Sequence, residues 1–85
     1  MTSISIGSPA QLGKVLRATR KSIGLTQPQL ALAAGVGVRF IVDLEAGKPT
    51  VRLASVMSVI DSLGGELQIA GVVSPPSESA DPDGS

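Results

Sequence analysis

The sequence predicts a small, mostly α-helical domain of four or five helices, followed by one β-strand. Apolar residues recur at intervals of three and four along residues 8–63, which is the period of a helix with one buried face. Each of four such stretches is followed by a glycine, the residue that most readily takes the left-handed conformation that ends a helix. The pattern then changes to alternation over residues 66–70, which is typical of a strand.

Two helix starts are marked by capping boxes, in which a hydroxyl and a glutamine three residues later satisfy free backbone amides. Ser8 and Gln11 form the first box, with a proline after the serine at the first helical position, and Thr26 and Gln29 form the second. The first helix is expected to end at Gly24. Its predicted inward residues are Leu12, Val15, Leu16, Thr19 and Ile23.

Residues 26–47, TQPQLALAAGVGVRFIVDLEAG, predict two short helices joined by a glycine-centred turn. The first of them ends at Gly35 and the second ends at Gly47. Their inward residues are Leu30, Ala31 and Ala34 on the first, and Ile41 and Leu44 on the second. Two helices joined in this way form a helix-turn-helix unit, whose second helix reads DNA in the major groove.

The fourth helix is predicted over residues 50–63, and the strand over residues 66–73. The predicted core stripe of the helix is Leu53, Val56, Met57, Ile60 and Leu63. A single strand has unpaired edges, so it needs either the segment around Ile4 and Ile6 or the same strand of a second copy. We favour the second copy, because a two-fold contact is the commonest way to pair a strand with itself. The predicted homodimer contacts are Leu67, Ile69 and Val72.

We thus expect four parts: an extended segment (1–7), the helix-turn-helix domain (8–65), the dimerisation strand (66–73) and an acidic tail (74–85) that should be disordered when free. Up to Val73, seven basic residues stand against four acidic ones, a balance of +3, and the three acidic residues of the tail give −3. A basic body suits an anionic partner, although charge alone fits a solvated surface as well.

Composition argues against several other classes of function. Without cysteine or histidine the chain has no disulfide, no thiolate metal site and no imidazole base. No carboxylate pair, nucleophile–base pair or phosphate-binding glycine loop has the spacing that catalysis needs, so we expect no enzyme activity, cofactor, metal or small-molecule ligand. No apolar run is long enough for a membrane span, and the N-terminus does not look like a signal peptide. We therefore expect a cytoplasmic protein that is associated with the nucleoid when it binds DNA.

The exposed start of the third helix supplies the candidate base-reading residues, Val38, Arg39, Val42 and Asp43. Arg39 could pair with guanine through two hydrogen bonds, or with a phosphate. Val38 and Val42 could contact thymine methyl groups, or could instead be ordinary core residues. Asp43 could accept from cytosine, or could orient Arg39, which lies four residues earlier.

Four polar residues at helix starts and loops are the candidates for phosphate contacts: Gln27, Lys48, Thr50 and Arg52. Gln27 lies in the first turn of the second helix, beside free backbone amides. The other three flank the start of the fourth helix. Side chains at such positions hold the DNA backbone and fix the register of a recognition helix.

Residues 12–69 resemble the Cro/C1 repressor type of helix-turn-helix protein, the XRE family, which has the λ-repressor-like fold. The resemblance rests on Arg20 with Leu25-Thr26-Gln27, on Leu30-Ala31 and Gly35, and on Leu44-Glu45-Ala46-Gly47. It implies that Arg20 and Glu45 form a structural ion pair between the first helix and the end of the third.

A narrower resemblance is to HipB-type antitoxins, which are short four-helix members with a C-terminal strand. It rests on Ser8-Pro9 with Gln11-Leu12, on residues 45–51 and on the Leu63-Gly64 ending. It implies a homodimer that binds a palindromic operator in double-stranded DNA, represses its own operon and neutralises a HipA-like serine/threonine kinase toxin. Two alternatives stay open: a stand-alone XRE regulator without a toxin partner, and an interaction module that keeps the fold without binding DNA.

Overall fold

The computed structural model describes residues 3–71, which form four α-helices in the predicted order. The helices are α1 (Pro9–Ile23), α2 (Gln27–Ala34), α3 (Val38–Glu45) and α4 (Leu53–Ser62). α3 packs against both α1 and α2, and α4 packs against α2. The mostly α-helical fold is therefore confirmed. None of these four helices is long and apolar enough to cross a membrane.

Hydrogen bonds between neighbouring residues account for the starts of α1 and α2. Ser8 Oγ accepts from the Gln11 amide at 3.1 Å, and Thr26 Oγ1 accepts from the Gln29 amide at 3.2 Å. Gln29 Oε1 accepts in return from the Thr26 amide at 2.8 Å, which completes that capping box. At α1 the Gln11 side chain accepts from the Gly7 amide, one residue before the cap. Both starts thus follow from local sequence, and only the reciprocal contact at α1 differs from the prediction.

One apolar core joins the four helices, and its fully buried large side chains are Leu30, Ile41 and Val59. The other buried apolar residues are Leu16, Ala31, Leu44, Val56 and Ile60. The inward positions predicted for the second and third helices are confirmed, with Ala34 half-buried at the margin of the core. The core therefore fixes which side of α3 faces solvent.

The prediction for the fourth helix is wrong in its start and at two of its five inward positions, whereas Val56 and Ile60 are buried and Leu63 is half-buried, as predicted. The helix begins at Leu53 rather than at residue 50, because the backbone is still extended at Arg52. It buries Val59, whereas Leu53 and Met57, which were predicted to be inward, are exposed. Ile23, predicted as an inward residue of α1, is also exposed. Apolar spacing alone does not distinguish a core face from a neighbouring apolar surface.

Residues 3–71 contain no strand, and this range includes the first six positions of the predicted strand. Val72 and Val73, together with the tail predicted for residues 74–85, lie outside the described residues. Ile4, Ile6 and Leu67 line one apolar groove beside α1 and α4, so the N-terminal segment and the chain after α4 meet there. A strand that pairs with a second copy has no partner within one chain, so the strand stays a prediction.

Gly47 lets the chain after α3 lie directly against the start of α1. Its φ is +86°, and a Cβ built there would lie 2.7 Å from the Cα of Ala10. We expect Gly47→Ala to lower the free energy of unfolding by about 1–3 kcal/mol more than Gly24→Ala does. Gly24 is the matched control, since its φ of +88° gives the same backbone strain in open space. Urea denaturation measures the free energy of unfolding of both variants. Equal losses would show that the close approach to Ala10 does not affect stability.

Candidate nucleic-acid interface

α3 has one side in the core and one side in solvent, as a recognition helix requires. Ile41 and Leu44 are buried. On the other side Val38 is 42% exposed and the Arg39 side chain is 84% exposed, and Val42 is half-buried between the two sides. Because Val38 is not a core residue, this side of the helix presents apolar groups and one arginine to solvent.

Asp43 connects α3 to the loop that follows it. Its Oδ1 lies 3.3 Å from Nε of Arg39, and its Oδ2 lies 3.6 Å from Nζ of Lys48. The Lys48 amide also donates to the Asp43 carbonyl oxygen at 3.0 Å, because the left-handed turn at Gly47 folds the chain back. Asp43 thus contacts both Arg39, which was predicted to contact a base as Asp43 itself was, and Lys48, which was predicted to contact a phosphate.

Arg20 and Glu45 form a buried ion pair between α1 and α3. Arg20 Nε donates to Glu45 Oε2 at 2.7 Å, and Arg20 Nη2 donates to Glu45 Oε1 at 3.0 Å. Their side chains are only 9% and 4% exposed. Arg20 Nη1 also donates to the Leu25 carbonyl oxygen at 2.8 Å. Such a two-point pair fixes orientation as well as distance, so it holds the end of α3 against α1.

The ion pair shifts the pKa of both groups. The hydrogen bond to Glu45 raises the pKa of Arg20 above its ordinary value, against the opposing effect of burial. Burial alone would raise the pKa of Glu45. Hydrogen bonds from Arg20 and Gln27, together with the positive charges of Arg20 and Arg17, outweigh burial, so the pKa of Glu45 lies below its ordinary value. Both groups are therefore charged at neutral pH.

Gln27 is tied into this pair from the start of α2. Its Nε2 donates to Glu45 Oε1 at 3.1 Å, and its side chain is half-buried. The amide that the sequence assigned to a phosphate thus has one of its two hydrogens engaged within the protein. This contact could not be predicted from the sequence, because eighteen residues separate the two side chains.

The remaining phosphate candidates lie in one exposed segment between α3 and α4. Lys48 begins it beside Asp43, and Thr50 and Arg52 continue it up to the start of α4. Arg52 is the N-cap residue of α4, and no side-chain hydrogen bond caps that helix. The amides of this first turn are thus without a side-chain acceptor, an arrangement that favours a nearby anion.

Comparison with known proteins gives one curated relative. No protein-family model matches the chain. The chain is 50% identical over 64 residues to y4mF, an uncharacterized HTH-type transcriptional regulator of Sinorhizobium fredii (strain NBRC 101917 / NGR234). The match covers 75% of this chain and 84% of the relative.

Solved structures give a consistent picture of the fold. A chain of the HipA–HipB–O2–O3 complex matches with a TM-score of 0.75 at 24% identity, over 84% of this chain and 100% of the other. A chain of the HipB–O1–O2 complex gives a TM-score of 0.74 at 25% identity, over 80% and 99%. The restriction-modification controller protein C.AhdI from Aeromonas hydrophila gives 0.63 at 28% identity, over 68% and 84%. The chain is therefore similar in fold to all three.

Proposed function

The chain belongs to the HTH-type transcriptional regulators, which are not enzymes, and we propose that it is a repressor that binds a specific DNA sequence through α3. The observation that carries this proposal is the exposed side of α3, where Val38 and Arg39 project from a helix whose other side lies in the core. The ion pair of Arg20 and Glu45 supports it, because base reading needs a helix held in a fixed orientation.

The proposed contacts divide between bases and phosphates. Arg39 reads a guanine through two hydrogen bonds, and Val38 and Val42 contact thymine methyl groups, with Asp43 on the same side of α3. Phosphates are held by the second amide hydrogen of Gln27 and by the exposed segment before α4, that is, by Gln27, Lys48, Thr50 and Arg52.

Two copies would form a homodimer on a palindromic operator, with half-sites about 10 base pairs apart. Support comes from exposed apolar side chains that line three adjoining grooves. This set, here called the apolar surface, consists of Ile4, Ile6, Leu53, Met57 and Leu67. Contiguous exposed apolar side chains mark an interaction site. The second copy would cover them and would pair its strand through Leu67, Ile69 and Val72.

Arg39→Ala is expected to weaken specific DNA binding by about 1–3 kcal/mol and to relax the preference at one operator position. Lys48→Ala is the matched control, because a lost phosphate contact weakens binding to all sequences alike and reduces the salt dependence. Titration of a duplex selected by the wild type, and of a scrambled duplex, measures both effects. Unchanged specific binding by Arg39→Ala would refute the base-reading role of Arg39, whereas a wild type that selects no duplex would favour an interaction module without DNA binding.

The finer proposal is that the repressor is the antitoxin of a HipBA-type operon. It is supported by the HipB-type sequence junctions and by the fold shared with the HipB structures. A HipA-like serine/threonine kinase would bind helix surfaces away from the exposed side of α3. The second candidate is a stand-alone regulator, which the similarity to the controller protein C.AhdI favours.

The reading frame beside this gene separates the two candidates. For an antitoxin we expect a kinase-like frame whose product is toxic alone, harmless when co-expressed with this chain, and co-purified with it. Arg39→Ala serves as the matched variant, since it should bind the operator more weakly and still neutralise the kinase. A flanking kinase-like product that neither binds this chain nor is neutralised by it would leave the stand-alone regulator as the function.

A further inference from the structure

We propose that Asp43 is a positioning residue for Arg39, rather than a base contact of its own, an inference that rests on the proposed DNA-binding function. Each of its carboxylate oxygens faces a different basic group. Oδ1 lies 3.3 Å from Arg39 Nε, and Oδ2 lies 3.6 Å from Lys48 Nζ. Both oxygens thus face cations of the protein, and the Asp43 side chain is only 22% exposed, which favours positioning over a base contact of its own.

The contact with Arg39 leaves the base-reading end of the guanidinium available. Arginine recognises guanine by directing two N–H donors at O6 and N7. The guanidinium has five N–H donors, and Asp43 contacts the nitrogen nearest the chain, so both Nη groups stay available. The Asp43 side chain is 22% exposed against 84% for Arg39, so the arginine extends further into solvent than the carboxylate that holds it.

Holding Arg39 before DNA arrives lowers the entropy that binding must remove. A free arginine side chain populates many rotamers, and ordering such a side chain at an interface opposes association. A contact four residues along the helix restricts these rotamers in the unbound protein. Asp43 therefore acts through Arg39 on the step that distinguishes one base from another.

Lys48 is held on the other oxygen by the backbone as well as by charge. The turn at Gly47 directs the Lys48 amide to the Asp43 carbonyl oxygen at 3.0 Å, which places the lysine on the Asp43 side of the helix end. One carboxylate thus sets the distance between a base-reading cation and a phosphate-binding cation. Phosphate contacts position a protein on the duplex, so Lys48 adds affinity for every sequence while Arg39 reads one base pair.

The same carboxylate has a cost that provides a test. A negative charge beside the DNA backbone lowers affinity for every sequence, because it opposes the electrostatic attraction that dominates non-specific binding. A positioning carboxylate therefore lowers general affinity and raises sequence discrimination. A residue with only a structural role would change neither quantity in this opposite way.

Asp43→Asn removes the charge and keeps the size of the side chain. We expect its affinity for a scrambled duplex to rise by about 2- to 5-fold at low salt. The ratio of affinities for a duplex selected by the wild type over the scrambled duplex should fall by about 5-fold or more, as for a weakened arginine–guanine pair. Asp81→Asn is the matched control: it removes the same charge from the acidic tail, whose residues belong neither to the proposed DNA contacts nor to the apolar surface, and it should leave the ratio unchanged.

Combination with Arg39→Ala separates positioning from direct reading. In the Arg39→Ala background, Asp43→Asn should change the ratio by less than about 2-fold, because the side chain that it positions is gone. A full additional loss in that background would mean that Asp43 contacts a base itself, and would overturn the proposal. An unchanged ratio for Asp43→Asn alone would overturn it too. A wild-type protein that does not prefer the selected duplex would instead refute sequence-specific binding, a distinct outcome.

Discussion

Glu45→Gln is expected to lower the free energy of unfolding by about 3–5 kcal/mol, because it leaves Arg20 as a buried charge without its counter-charge. Arg20 donates twice to Glu45, and its side chain is 9% exposed, so water cannot replace the lost carboxylate. Glutamine offers one neutral acceptor oxygen in place of two charged ones. Since a whole domain is stabilised by about 5–15 kcal/mol, the variant should be near its limit of folding at 37 °C. Urea denaturation of both proteins measures the loss.

Asp43→Asn is the control for this measurement. It removes a carboxylate from the same helix, but that carboxylate pairs with an arginine whose side chain is 84% exposed. Exposed pairs contribute about 0–1 kcal/mol, so the control should lose little. If the free energy of unfolding falls by the same amount in both variants, burial of the Arg20–Glu45 pair does not increase its contribution to stability.

The pair also predicts how stability depends on pH. In the folded protein the pKa of Glu45 lies below its ordinary value of 4.5. The stability contributed by the ionised carboxylate is therefore fully present above about pH 4.5 and is lost as the pH falls through the lower, folded-state pKa. The difference in unfolding free energy between the wild type and Glu45→Gln should shrink over that range. A difference that stayed constant into acid would show that the charge of Glu45 is not its source.

Structure set by residues within one helical turn could be predicted from the sequence. The side chains of Thr26 and Gln29, three residues apart, accept from each other's backbone amides, so the start of α2 follows from the local sequence alone. Ile41 and Leu44 are placed on one side of α3 by helical spacing, and both are buried. This spacing also leaves Val38 and Arg39 on the solvent side, which is why the base-reading candidates could be named.

Contacts between distant residues could not be predicted in the same way. Nothing in the sequence around Gly13 predicted a role for this glycine in the middle of α1. A Cβ there would lie 2.5 Å from the Leu44 carbonyl oxygen. The close approach of α1 and α3 therefore requires glycine at this position. The contact of Asp43 with Lys48 depends on the turn at Gly47, and that of Gln27 with Glu45 depends on the angle between two helices. Each of these is set by the packing of the fold.

The buried side of α4 was difficult to predict for a different reason, because two sides of this helix are apolar. Leu53 and Met57 follow helical spacing as well as the buried Val56 and Ile60 do. Burial in a core and burial against a second copy select the same residue types, so composition does not tell them apart. The apolar surface could be recognised only once the core was known.

Ile69→Asp is expected to convert the proposed homodimer into a monomer, and thereby to lower affinity for a palindromic operator by about 100-fold or more. Ile69 is 79% exposed in the single chain, so a charge there removes no contact from the fold of the monomer. In a strand paired with its own copy, the same charge would be buried at the two-fold contact without a partner. Sedimentation measures the dimer, and operator titration measures the loss of simultaneous binding to two half-sites.

Gln68→Asp is the matched control, because neighbouring side chains of a strand point to opposite faces and Gln68 would face solvent. It adds the same charge and should leave the dimer intact. Removal of the tail, residues 74–85, should also leave the dimer intact. Removal of the strand residues 67–73 should give a monomer. A dimer that survives both Ile69→Asp and the removal of residues 67–73 would refute pairing through the strand.

Leu53→Asp then tests α4, since Leu53 belongs to the apolar surface and is exposed in the single chain. A monomer from that variant alone would assign the two-fold contact to helix packing.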